Sequence, residues 1–149
     1  IPLVYNSGGY ESIKTLRLLE GIVDVYLPDW KYGEEELGLR YSAVSDYPAV
    51  CEAAVQEMHR QVGDLVLDED GVAQRGLIVR HLVLPSHFAN SEKALNRLVS
   101  LLSPSVRVSL MAQYAPKYGA AHDPDDVDDP FSIPVSRRDT KCLKLTACQ

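Results

Sequence analysis

Cysteine is scarce in this sequence: Cys51, Cys142 and Cys148 are the whole set. An odd and sparse set argues against a disulfide framework and fits a reducing, cytoplasmic compartment. Basic charge is also short. Lys and Arg number 15 against 21 Asp and Glu, for a net charge of −6, which is the wrong sign for a nucleic-acid-binding face. No stretch approaches the roughly 20 apolar residues that span a bilayer, so no membrane association is expected. The chain opens at Ile1 without a methionine, a charged n-region or an apolar h-region, so no secretory leader is expected either. What the chain does have is apolar bulk: 46% of its 149 residues are hydrophobic, enough for one domain with a real core.

The acidity is concentrated in the run His122-Asp123-Pro124-Asp125-Asp126-Val127-Asp128-Asp129-Pro130. It offers almost nothing to bury and reads as a solvated loop. A calcium loop would need a glycine and a terminal glutamate at fixed spacing, and the run has neither. Residues 119–149 accordingly read as a polar acidic loop and tail. His59, His87 and His122 show no ligand spacing with one another.

Residues 1–118 read as strand and helix in alternation. Pro2 to Tyr5 opens as a strand, and Asn6-Ser7-Gly8-Gly9 turns the chain. A helix from about Glu11 to Glu20 follows, with Ile13, Leu16 and Leu19 on one face and Gly21 as its stop. Ile22 to Leu27 is a second strand, rich in β-branched and aromatic residues. A loop containing Glu34-Glu35-Glu36 leads to a helix that Ser45 or Asp46 caps and Pro48 starts. Val50, Ala54, Met58 and Val62 form its apolar stripe, and Gly63 ends it. Leu65 to Gln74 reads as a hairpin around Asp70-Gly71. Leu77 to Leu84 is a third core strand. Ser91 caps a helix bearing Ala94, Leu95, Leu98, Leu101 and Leu102, stopped by Pro104, and Val106 to Met111 is the fourth strand. The alternation predicts right-handed crossovers and a parallel sheet, α/β in class. Pattern alone does not separate a doubly wound sheet from a barrel segment.

Polar groups collect at the strand ends, where α/β sheets and barrels place their ligand sites. The first strand gives Asn6 and Ser7, and the fourth gives Gln113 and Tyr114. The second ends in Leu27-Pro28-Asp29-Trp30-Lys31-Tyr32, where Asp29 and Lys31, two apart, share a face. Arg80 lies in mid-strand, where a charge is costly without a partner. The competing reading of each is a structural hydrogen bond or a solvated ion pair of little worth. The parity of its strand puts His81 opposite Arg80, as a satisfied histidine under a helix. Tyr5, Tyr10 and Trp30 are expected to pack.

The order of these pieces resembles the C-terminal part of a radical S-adenosylmethionine (SAM) enzyme of the group related to pyruvate formate-lyase activating enzyme. Val4-Tyr5-Asn6-Ser7-Gly8-Gly9-Tyr10 looks like that family's strand ending in a short Asn-Gly turn. Val25-Tyr26-Leu27-Pro28-Asp29-Trp30-Lys31-Tyr32 looks like its Asp-x-Lys strand. Gly76 to Pro85 looks like its arginine-bearing strand, and Ser109-Leu110-Met111-Ala112-Gln113-Tyr114 like its last barrel strand. Met58-His59-Arg60-Gln61-Val62-Gly63 is similar to the uncharacterised branch of that group more than to the activating enzymes proper.

The resemblance covers residues 1–118 and implies strands three to six of a partial (β/α)6 TIM-like barrel. It implies a parent enzyme that reductively cleaves SAM with a [4Fe–4S] cluster to methionine and a 5′-deoxyadenosyl radical. Implied partners are a glycyl radical enzyme or other protein substrate, and a reductant such as flavodoxin or ferredoxin. Asn6 and Ser7 would hold the ribose or methionine end of SAM, and Lys31 the ribose oxygens or carboxylate. Asp29 would orient Lys31, Arg80 would pair with Asp29 or a ligand carboxylate, and Gln113 would lie near the adenine. The family's three-cysteine cluster loop and its Gly-Gly-Glu motif have no counterpart here, and the three cysteines present are not grouped to replace the loop. The implied role is therefore that of a fragment, inactive alone, with cluster ligands expected N-terminal to it. Two rival readings need no missing part. One is an aldolase-like barrel with Lys31 as Schiff-base lysine; the other is a non-catalytic ligand-binding or scaffold domain.

Overall fold

The computed structural model describes residues 1–115. The acidic run, Cys142, Cys148 and the rest of the 119–149 segment lie outside the described residues. Nine elements follow one another: β1 (Val4–Ser7), α1 (Ile13–Leu18), β2 (Val25–Pro28), α2 (Glu35–Ser42), α3 (Tyr47–Val62), β3 (Val66–Leu67), β4 (Ala73–Leu82), α4 (Phe88–Leu101) and β5 (Arg107–Met111). The protein is α/β, with a mostly parallel sheet of βα units.

The strands add in one direction. β1 pairs with β2, β2 with β4, and β4 with β5, all parallel. β3 is antiparallel to the start of β4. The β1-β2-β4-β5 order is that of βα units wound one way; a doubly wound sheet reverses at a switch point. α3 packs on β2 and β4 and touches α1, α2 and α4. Between this helical layer and the sheet lies the core: Leu16 from α1, Ala54, Val55 and Met58 from α3, Ala94 and Leu98 from α4, against Tyr26, Leu77 and Val79 of the sheet. Strand alternation then sends Ile78, Arg80 and Leu82 to the other face, where all three are only partly buried.

Several boundaries differ from the sequence reading, each for a local reason. β1 runs to Ser7, so Asn6 and Ser7 belong to the strand and the turn falls on Gly8-Gly9. α1 is cut to Ile13–Leu18, because the chain turns through a bond from Ile22 N–H to the Leu19 carbonyl, and β2 starts only at Val25. The segment read as a glutamate-rich loop is α2. Glu35 and Glu36 sit in its first turn, where the helix dipole favours them, and Leu37 is buried beneath. The hairpin's second arm and the third core strand are one ten-residue strand, β4. α4 begins at Phe88, so Ser91 is inside the helix rather than at its cap. α3 begins and ends as read, with Pro48 in its first turn and the Gly63 N–H on the His59 carbonyl at 2.7 Å. The Asp46 carboxylate makes no cap bond and accepts instead from the Tyr10 hydroxyl at 2.8 Å.

Candidate functional site

A cavity of about 360 Å³ opens at the C-terminal ends of β2, β4 and β5, on the face away from the core. Asp29, Lys31, Arg80 and Gln113 line it, with Leu82, Met111, Tyr114 and Ala115. Four of the six residues singled out in the sequence thus share one wall system. Register explains the meeting. Asp29 makes a parallel bridge with Arg80, and Arg80 pairs onward with Ser109 of β5, so all three present one face.

The Arg80 guanidinium donates from Nε to Oδ1 of Asp29 at 2.7 Å, and its Nη2 lies 2.6 Å from the same oxygen as an ion pair. The mid-strand charge therefore has its partner. An ionised carboxylate has more acceptor sites than this pair uses, so Asp29 keeps acceptor capacity for a ligand. Lys31 is half-buried, and its ammonium makes no ion pair among the described residues. Asn6 and Ser7 are not among the cavity's walls. Asn6 is exposed in β1, opposite Leu27, and the Ser7 hydroxyl accepts from the Gly9 N–H at 3.3 Å, closing the turn.

The segment that carries Asp29 and Lys31 is held by buried side chains, of which Tyr47 and Asn90 were not expected from the sequence. β2 ends at Pro28, but backbone bonds run on from the Asp29 N–H to the Ser7 carbonyl at 2.9 Å and from the Trp30 N–H to the Arg80 carbonyl at 2.8 Å; from Lys31 onward the neighbouring strands supply none among the described residues. Side chains take over. The Lys31 N–H donates to the Tyr47 hydroxyl at 3.0 Å, and that hydroxyl lies 3.2 Å from both the Gly8 and Asp29 carbonyls. Asn90 donates from Nδ2 to the Lys31 carbonyl at 3.0 Å and accepts from the Gly33 N–H at 2.7 Å. His81, expected as a satisfied histidine under a helix, is that: its Nδ1 lies 2.6 Å from the Trp30 carbonyl and its Nε2 2.8 Å from the Ser91 hydroxyl. The carbonyl only accepts, so Nδ1 carries the proton and Ser91 donates to Nε2. Burial pushes the His81 pKa below its ordinary value, keeping the ring neutral.

Gly9 completes the scaffold. At φ +79° it lies so close that a Cβ would stand 2.0 Å from the Asp29 carbonyl oxygen. Cys51 is fully buried, its Sγ 3.7 Å from the same carbonyl, and burial pushes the thiol up to about 12. A signal for Asn90 did exist: it falls four and eight residues before Ala94 and Leu98, on the same apolar stripe.

The fold and site define an α/β protein of parallel βα units with a polar cavity at its C-terminal strand ends. Its sequence is 35% identical over 125 residues to an uncharacterized protein of Methanocaldococcus jannaschii, an alignment covering 84% of this chain and 33% of that protein. The chain thus spans about a third of that relative's length. No family model matches the chain, and no solved structure matches it. No helix among the described residues is long and apolar enough to cross a membrane.

Proposed function

We propose that the chain is the C-terminal portion of a radical SAM enzyme related to pyruvate formate-lyase activating enzyme, comprising strands three to six of a partial (β/α)6 barrel. The observation that carries this reading is the convergence of Asp29, Lys31, Arg80 and Gln113 on one cavity at parallel strand ends. That is where barrels of βα units bind their ligands.

The residues present suit SAM. A zwitterionic amino-acid end with a sulfonium needs charges of both signs, and the ribose and adenine need neutral donors and acceptors. Lys31 supplies a donor for carboxylate or ribose oxygens. The Asp29 carboxylate accepts from an ammonium or a hydroxyl, while Arg80 fixes the carboxylate's direction. The Gln113 amide can donate and accept at an adenine edge, and Leu82 and Met111 supply apolar wall. The cavity falls within the roughly 300–1,000 Å³ usual for small-molecule sites.

The residues present do not suit the iron–sulfur cluster. Cys51 is the one cysteine among the described residues, and it is a buried thiol turned to a backbone carbonyl. In this reading the cluster ligands belong to a longer protein, N-terminal to Ile1, and no step is assigned to the cluster here. The cytoplasm, a flavodoxin or ferredoxin reductant, and a glycyl radical enzyme or other protein substrate belong to the same proposal.

The test is anaerobic reconstitution of the full-length protein with iron and sulfide, followed by dithionite and SAM. Formation of 5′-deoxyadenosine supports the reading. Its absence from a protein that holds four irons contradicts it. Borohydride trapping of a carbonyl substrate on Lys31 would instead establish the aldolase reading.

A further inference from the structure

We propose that Asn90 is a positioning residue for Lys31: one buried amide sets the direction in which the lysine enters the cavity. The bonds on the Lys31 backbone give Asn90 this role whatever ligand fills the cavity.

Asn90 lies on α4 and is 1% exposed, so it does not reach the cavity itself. Both ends of its amide are spent on the segment after Asp29. Nδ2 donates to the Lys31 carbonyl and Oδ1 accepts from the Gly33 N–H. Only one orientation of the amide satisfies both, since a carbonyl cannot donate and an N–H cannot accept. The peptide groups on either side of Tyr32 are thereby tied to a single rigid plane. On the other flank, the Lys31 N–H is held by the Tyr47 hydroxyl. Lys31 therefore has both backbone groups fixed by side chains rather than by a neighbouring strand. A strand residue's side-chain direction follows from its peptide planes, so holding the planes aims the ammonium. Close packing reinforces the link: a Cβ on Gly33 would stand 2.6 Å from the Ala94 nitrogen and 2.9 Å from the Asn90 carbonyl oxygen. The start of α4 and the tip of the β2 segment thus move together.

Asn90→Asp separates the two bonds. A carboxylate keeps an acceptor for Gly33 but sets an oxygen against the Lys31 carbonyl, where a donor is required. Gln61→Leu is the control. It removes buried bonds to Tyr26 and the Leu16 carbonyl, and Gln61 makes no bond to residues 29–33.

The experiment pulses the full-length protein with an acetylating N-hydroxysuccinimide ester. Mass spectrometry reads the labelling rate of Lys31 relative to exposed Lys14. We expect Asn90→Asp to raise that ratio roughly threefold to tenfold, the factor one neutral hydrogen bond is worth. Gln61→Leu should leave it unchanged at a similar loss of thermal stability. Should the aspartate variant not fold, Asn90→Ala adds no charge and gives the same comparison. An unchanged ratio for the Asn90 variant, or an equal rise in Gln61→Leu, overturns the proposal. SAM calorimetry then separates the ligand reading from this one. If SAM binds, Asn90→Asp weakens it in the native background and has no further effect in Lys31→Met; additive effects contradict the inference. If SAM does not bind while the labelling ratio rises, the SAM reading fails and the positioning role stands.

Discussion

Arg80 and Asp29 illustrate what single residues impose. A guanidinium in mid-strand has to meet an acid, and strand parity left Asp29 as the acid able to meet it; the two pair at 2.6 Å. Parity also placed Lys31 beside them. The backbone contacts of the same segment follow from a different residue, Gly9, whose positive φ and missing Cβ let the Asp29 carbonyl approach. Gly9→Ala should therefore destabilise the protein by about 1–3 kcal/mol, the range for forced overpacking. Gly8→Ala, with nothing within 4 Å of the added Cβ, should be close to neutral. Urea midpoints of the two variants measure this, and equal midpoints would show that the turn gives way freely.

At the scale of elements, the His81–Ser91 bond ties β4 to α4, and His81 ties both to the Trp30 carbonyl. The folded pKa of His81 lies below the ordinary 6.5 because the ring is buried. On acidification the unfolded chain takes up this proton first. The stability that depends on neutral His81 is thus complete above pH 6.5 and is lost as pH falls from there toward the folded value. Glu57 acts in a lower window. Its bonds from Arg60 and Gln61 hold it to about 2 against an ordinary 4.5, so its contribution is lost only between those values. Denaturation midpoints measured between pH 7.5 and 5.5 should fall with acid, and the slope should flatten in His81→Gln; the window is set by the ordinary histidine value. An equally steep slope in the variant would assign the effect elsewhere. The elements themselves were unequally legible. α3 was clear because Pro48, a regular apolar stripe and Gly63 all agree. α2 was hidden: its surface is glutamate and arginine, and only Leu37 and Gly38 are buried. The cavity's lining was legible where side-chain parity decides it, at Asp29, Lys31 and Arg80, and at Gln113 from its place at the end of the fourth strand. Asn90 and Tyr47 were not, because they bond the Lys31 backbone, where the ladder has run out after Trp30, and strand length is not written in local pattern.

At the scale of the whole molecule, the helices among the described residues pack against one face of the sheet, and on the other Ile78, Arg80 and Leu82 are only partly buried. Ile1, Leu3 and Val4 are exposed at β1, which has no second strand neighbour among the described residues. An open edge next to apolar surface invites pairing. The 149-residue chain alone should bind a hydrophobic dye and scatter light as more than a monomer, whereas the full-length protein should do neither. After anaerobic reconstitution it should also hold no four-iron cluster, and the full-length protein should. A strictly monomeric, dye-free segment would contradict the partial-barrel reading. The central claim is that the cavity around Asp29, Lys31 and Arg80 binds SAM through these side chains. Calorimetric titration of SAM into the full-length protein and its Lys31→Met variant tests it most directly. The account predicts binding weakened by about 1.5–3 kcal/mol in the variant, the worth of a hydrogen bond to a charged group, with folding nearly unaffected. Equal affinities, or no binding to the native protein, would contradict it.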